Sequence, residues 1–438
     1  MKTKNKRNYS RENGITLIAL VVTIVVLLIL AGVSLNAIFS ENGIIKRAQD
    51  AQNKMDQATQ NDLNALNELN EWLDGKINGS SGGNTSGGNT TGGNDNPTTT
   101  LPKISTLVGT VVDKNTKAED AYGNKITIPK GFKILAHSEN TTTGDVTYTY
   151  SGDKIPAVQD GIVIEDKDGN QFVWVPVGTI KNKDNTTNTI TLGRYSNFTA
   201  TNGAYTPVQN AIDCDAETPI TETNGDESWD YKELTAFRGG NSATDSTAQN
   251  ATARNLKEFI STTLANGGYY IARYEASGTT EKITSKYNQT VLTRITQLNA
   301  AKLAREMYGE VKENNELVYA SDLVNSYAWD TAIIFIQTYS TGEDASSYAS
   351  KNKSTSFANS GINNDKYCNI WDMSGNAQEW TTEYSTHSRN SYFNACVHRG
   401  GDYDTSDFEA SYYTSGRVGI GATASGSALG LRSLLYVK

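Results

Sequence analysis

Two carboxylates, Asp372 and Glu379, bracket a short run that contains Gly375. Such a run supplies hard oxygen donors of the kind calcium selects. It reads equally well without a metal: Asp372 and Asn376 would cap turns while Trp371 and Trp380 fill a core. Cys368 and Cys396 flank the run. In an oxidising compartment they would form a disulfide worth about 3 kcal/mol on the chain-entropy model; otherwise they are a pair of reduced buried thiols. Cys214 is left over. His137, His387 and His398 are too scattered for a His-rich metal site. No Ser/His/Asp or Cys/His constellation is legible, and His398 beside Arg399 is the one suggestive catalytic candidate.

A second chemistry-bearing stretch is 402–428. It sets Tyr403, Phe408, Tyr412 and Tyr413 among Asp, Ser, Thr, Gly and Ala. Tyr with small polar residues is the composition of binding loops, in which rigid amphipathic anchors stand beside adaptable hydrogen-bonding groups. Asp402, Tyr403, Asp404, Phe408, Tyr412 and Tyr413 are the expected contact residues. The alternative is that these aromatics pack on the domain's own core.

The rest of the chain must position these groups. Its 438 residues allow two or three domains. With 39 basic and 48 acidic residues the net charge is −9, and the pI is about 5.1. That balance argues against a nucleic-acid partner, which needs a basic face to displace phosphate counterions. Three cysteines exclude a disulfide-dense mini-fold and a four-cysteine zinc ribbon. A hydrophobic content of 37% leaves room for linkers and long loops.

Residues 1–14 form a basic leader with Lys2, Lys4, Lys6, Arg7 and Arg11 against Glu12. An apolar run over 15–33 follows, long enough to span a membrane once as a helix. The positive-inside rule then places the leader in the cytoplasm and the remainder outside. The run reads as an uncleaved anchor or, less well, as a cleaved secretory signal. A third reading comes from Glu12-Asn13-Gly14-Ile15-Thr16-Leu17-Ile18, which resembles the cleavage junction of type IV prepilins. The resemblance implies cutting between Gly14 and Ile15 by a prepilin peptidase, and assembly with other pilin subunits. Ala19 stands where that family carries a glutamate, so the resemblance suits a minor or tip subunit better than a bulk pilin.

Beyond the run, Ala48, Ala51, Met55 and Ala58, then Leu63, Leu66, Leu69 and Leu73, recur at helical spacing. Residues 15–74 are therefore expected to be a membrane and stalk helix, about 90 Å long if continuous, with Gly43 a natural break. Residues 75–102 are a flexible Gly/Ser/Thr/Asn linker. From 103 onward short apolar segments alternate with Gly, Asn, Asp and Ser clusters, which predicts short strands and long loops. Helices are expected over 297–308 and 329–338. The fold class is thus α+β, with an added β segment over 103–169 and the main domain over 170–438.

Four segments of the main domain carry a second resemblance. They are Phe172-Val173-Trp174-Val175-Pro176-Val177-Gly178, Tyr269-Tyr270-Ile271-Ala272-Arg273-Tyr274-Glu275-Ala276-Ser277, Ser326-Tyr327-Ala328-Trp329-Asp330-Thr331-Ala332 and Asn369-Ile370-Trp371-Asp372-Met373-Ser374-Gly375-Asn376-Ala377-Gln378-Glu379-Trp380. Arg399-Gly400-Gly401 and Gly430-Leu431-Arg432 follow. Together they resemble the formylglycine-generating (sulfatase-modifying factor) family, and the resemblance implies a C-type-lectin-like fold. It also implies a calcium site on the Asp372 and Glu379 side chains and the Gly375 and Ala377 carbonyls. In that family the stretch before the final strand lies on the ligand-facing surface. The family's activity needs two copper-binding cysteines after the Gly-Gly pair; Thr405 and Ala410 occupy those places. A hydroxyl and a methyl cannot replace thiolates, so neither copper nor formylglycine synthesis is expected.

The resulting expectation is a non-enzymatic cell-surface or pilus-associated protein that binds an external protein or glycan ligand. A degenerate enzyme and a purely structural pseudopilin are the competing classes.

Overall fold

The computed structural model describes residues 101–135, 157–201, 203–211, 218–233, 238–239, 249–250, 253–340, 345–354, 356–387, 395–404, 413–421 and 424–438. The basic leader, the apolar run and the stalk over 1–74 lie outside these residues, as do most of the linker, Gly14, Ile15, His137 and Cys214.

An E-D-x-x-G-N motif occurs twice and builds the same hairpin twice. Glu119-Asp120 and Gly123-Asn124 join Thr116–Glu119 to Lys125–Ile128. Glu165-Asp166 and Gly169-Asn170 join Val163–Glu165 to Gln171–Pro176. In each turn one aspartate oxygen accepts two backbone N–H groups, those of Tyr122 and Asn124 at 2.9 Å or of Asp168 and Asn170 at 2.8 Å. The other oxygen accepts from the asparagine amide, at 2.9 Å in the first turn and 2.8 Å in the second. Each glycine has positive φ, +89° and +84°, which only glycine adopts without cost. The asparagine oxygens then reach a neighbouring segment, Asn124 accepting from Lys181 N–H and Asn170 from Ser285 N–H.

The second hairpin lies in a seven-stranded antiparallel sheet. Its order is Glu310–Glu313, Glu316–Leu323, Ser433–Val437, Gly268–Ala272, Gln171–Pro176, Val163–Glu165, Lys133–Ile134. Continuous burial along Gly268–Ala272 and Ser433–Val437 shows both faces covered. Residues of 103–169, including Ile104, Ile126 and Ile134, share one core with Trp174, Trp329 and Leu434. Helix Ser326–Tyr339 packs into that core, buried from Ser326 to Gln337, and Asn325 caps it by accepting from Ala328 N–H at 2.9 Å.

A second sheet runs Ile220–Asn224, Glu227–Glu233, Gln378–His387, Ala395–Arg399, Val418–Ile420, and Leu429–Leu431 pairs in parallel with Gln378–His387. Helix Gln297–Glu306 lies behind it, and Trp380, Cys396 and Leu431 join Ala300 and Leu303 in a smaller core.

The expected α+β class with a leading helix is corrected. Strands take 36% of the described residues and helices 18%, so this is a β-rich fold. Apolar runs of four to eight residues between Gly, Asn and Asp turns have the length of strands. The helix expected over 297–308 is Gln297–Glu306, the one over 329–338 is Ser326–Tyr339, and Leu256–Asn266 was not foreseen. The expected single-pass membrane localisation is also corrected: among the described residues no helix is long and apolar enough to cross a membrane.

Candidate functional site

Five charged side chains, from positions 194 to 417, meet between helix Ser326–Tyr339 and strand Gln378–His387. Arg399 reaches Asp330 at 2.5 Å and Glu383 at 3.2 Å. Arg417 bonds Asp330 and lies 2.9 Å from Glu383. Arg194 reaches Glu383 at 2.6 Å. None of the five exposes more than a trace of surface. Burial works to raise the Glu383 carboxyl, but Arg417, Arg194 and Arg399 overcome it and hold the group down at about 2. A network this deep contributes little net stability over an apolar core, yet removing one member leaves an unpaired buried charge. Its effect is to fix geometry.

What it fixes is the chain on either side of 405–412. Ser415 C=O accepts from Arg399 at 3.1 Å, and Arg417 C=O from Tyr231 O–H at 2.7 Å. Thr414 C=O accepts from the Trp329 indole at 3.0 Å. Segment 345–354 holds both flanks. The Ala349 and Lys351 carbonyls accept from Ser415 N–H and the Thr414 hydroxyl, while the Asn352 amide donates to Asp402 C=O at 2.8 Å. Tyr403 N–H donates to Asn376 C=O at 3.1 Å. Most of these bonds end on the main chain, so the path of the segment is set by its surroundings.

Above this base Tyr403 meets Phe357, ring centroids 5.3 Å apart and tilted by 57°. Phe357 is 39% exposed. Asp402 and Tyr403 are half-buried, Asp404 is exposed, and Asp402 accepts from Asp404 N–H at 3.0 Å. Tyr413 is half-buried. Phe408 and Tyr412, and Thr405 and Ala410, which the resemblance matches to copper-binding cysteines, lie outside the described residues. Phe357 and Asn352 escaped the sequence reading. The only signal was one Phe in a polar stretch.

The side chains of the implied calcium set have protein partners. Both Glu379 oxygens hold Arg432, at 2.6 to 3.0 Å. One Asp372 oxygen accepts from Gly361 N–H at 2.7 Å, and the other has no hydrogen-bond partner. Burial pushes the Asp372 carboxyl up to about 7. Gly375 packs so closely on 352–354 that a Cβ there would lie 2.5 Å from Ser354 Cβ. Ser374 and Ala377 turn their N–H groups inward, onto Asp365 and Glu275. Among the described residues no group of three or more His, Cys, Asp or Glu side chains is disposed to hold a metal ion.

Cys368 and Cys396 do not pair with each other; of the two readings open from the sequence, a disulfide or two reduced thiols, the structure holds the second. Cys368 lies 3.5 Å from the Ser340 hydroxyl, against the larger core, and Cys396 is buried in the smaller one. His398 packs edge-to-face on Trp380, with Nδ1 unpartnered, and burial lowers its pKa to about 3. Enclosed in this way, the imidazole is shut off from a substrate proton.

No family model matches the chain, and no curated protein matches it. Three of the solved structures that resemble it are Treponema denticola variable protein 1, CarF and the Major Tropism Determinant U1 variant. The first is 14% identical, with a TM-score of 0.27, over 50% of this chain and 98% of that one. CarF is 13% identical, with a TM-score of 0.27, over 49% and 98%. The third is 12% identical, with a TM-score of 0.26, over 77% and 100%.

Proposed function

We propose that this chain is a binding protein that works by recognition and not by turnover, through a C-type-lectin-like domain of sulfatase-modifying-factor descent. The observation that carries the reading is the Phe357–Tyr403 pair, half in solvent, on a main chain held from beneath by buried hydrogen bonds. Rigid aromatic anchors lose little entropy on binding. Asp402 and Asp404 add acceptors for a hydroxyl or amide partner, which suits a protein or glycan ligand. His398, buried against Trp380, is not part of the proposed contact surface. The junction between Gly14 and Ile15 stays within the proposal as a prepilin-peptidase site, checked by N-terminal mass spectrometry.

The test is a glycan and protein array probed with the full-length chain, then repeated with Tyr403→Ala and Phe357→Ala. Binders retained by wild type and weakened at least tenfold by either variant, at unchanged melting temperature, support the site. Binders indifferent to both variants overturn it.

A further inference from the structure

The residues to which the family resemblance assigns calcium already enclose a cation. We infer that Arg432 is the resident cation of this site, and that the domain is held together there by a guanidinium in place of a divalent ion.

The geometry carries the inference. The Arg432 Nε–H and Nη2–H groups grip the Glu379 carboxylate as a fork, at 3.0 and 2.9 Å from Nε and 2.6 Å from Nη2. Its remaining donors reach the Ala272 carbonyl at 2.9 Å and the Trp371 carbonyl at 2.8 Å. One side chain thereby ties the strands Gly268–Ala272 and Gln378–His387 and the segment around Trp371 to its own. These are the tasks a structural calcium performs, and calcium would need six to eight oxygens to do so. Among the described residues no group of three or more His, Cys, Asp or Glu side chains is disposed to hold a metal ion. In the turn between Asp372 and Glu379, the Ser374 and Ala377 N–H groups donate to Asp365 and Glu275. Glu379 is neutralised, and Asp372 commits one oxygen to Gly361 N–H. A guanidinium also cannot lose its proton in a protein, so the cation is permanent.

The experiment uses the purified full-length chain. Thermal melts in calcium and in EDTA are compared for wild type and Asp372→Ala, which removes the side-chain oxygens altogether. Arg432→Gln is melted alongside. The expected result is the same melting temperature in calcium and EDTA for wild type, with Arg432→Gln lower by roughly 10 °C in both. A calcium-dependent rise that Asp372→Ala leaves intact comes from another place in the molecule and also supports the inference. A rise in wild type that Asp372→Ala abolishes overturns it. If Arg432→Gln does not fold, the comparison of wild type with Asp372→Ala decides alone.

Discussion

The Arg399 guanidinium lies 2.5 Å from the Asp330 carboxylate, and neither side chain touches solvent. The pair joins the strand that leads into Gly400-Gly401 to the helix at the centre of the core, so the aromatic site is built onto the most enclosed part of the fold.

Asp330→Asn should therefore be costly. It leaves Arg399 and Arg417 with Glu383 as their shared partner, and it weakens the bond to Tyr195 N–H. Breaking one member of a buried ionic network costs about 3–5 kcal/mol. Urea unfolding should show the midpoint falling by that equivalent with an unchanged slope. A loss below about 1 kcal/mol, the range of exposed pairs, would sink the view that this network sets the geometry.

The pH dependence has a separable source in Glu233. Its carboxyl accepts from Ser326 N–H at 2.9 Å, from the Ser326 hydroxyl at 2.6 Å and from the Thr382 hydroxyl. Burial raises it from 4.5 to about 7 against those bonds. A raised carboxyl binds its proton more tightly in the folded state. Its contribution is fully present below about pH 4.5 and is lost as pH rises through about 7. Glu233→Gln should stabilise the protein relative to wild type at pH 8 by on the order of 2–3 kcal/mol and make little difference at pH 5. Chemical denaturation at both pH values checks this, and an equal effect at both would refute it.

Part of the fold was legible because its signals are local: the helices at 297 and 329 follow from apolar spacing. The repeated E-D-x-x-G-N turn and the Asn325 cap are equally local, but the sequence reading did not include them. Leu256–Asn266 was missed because Ser261, Thr262 and Thr263 weaken its helical pattern. The ionic network was invisible: Arg194, Asp330, Glu383, Arg399 and Arg417 come together only by tertiary folding. Asp372 and Glu379 can be read from sequence as a pair of carboxylates, but which partners they find cannot: Arg432 reaches Glu379 from 53 residues further along the chain, and Glu275 reaches the Ala377 N–H.

Gly161 gives a sharp test of the packing between the second hairpin and the motif-rich stretch. Its φ is +78°, and an added Cβ would sit 1.9 Å from the Cys368 carbonyl oxygen. Asn369 donates from the other side, to the Asp160 and Gly161 carbonyls at 2.9 and 2.8 Å. Gly161→Ala should cost about 2–4 kcal/mol through backbone strain and displacement. Thermal unfolding reads it, and a wild-type melting temperature would mean that 160–161 and 368–369 are not in contact.

Asn352 offers a way to loosen the site while leaving the fold intact. Its amide nitrogen donates to Asp402 C=O at 2.8 Å and its oxygen accepts from Ser354 N–H at 3.3 Å. Tyr403 is held independently through Asn376 C=O. Asn352→Ala therefore removes one of the restraints on the aromatic pair and should cost only about 1 kcal/mol globally. Locally the effect should be larger: amide exchange at 402–404 should quicken several-fold while exchange in Ser433–Val437 stays at the wild-type rate. If the Phe357–Tyr403 pair binds ligand because it is preorganised, the same variant should weaken affinity chiefly through faster dissociation. Unchanged exchange at 402–404 would show that the base under Tyr403 does not depend on Asn352.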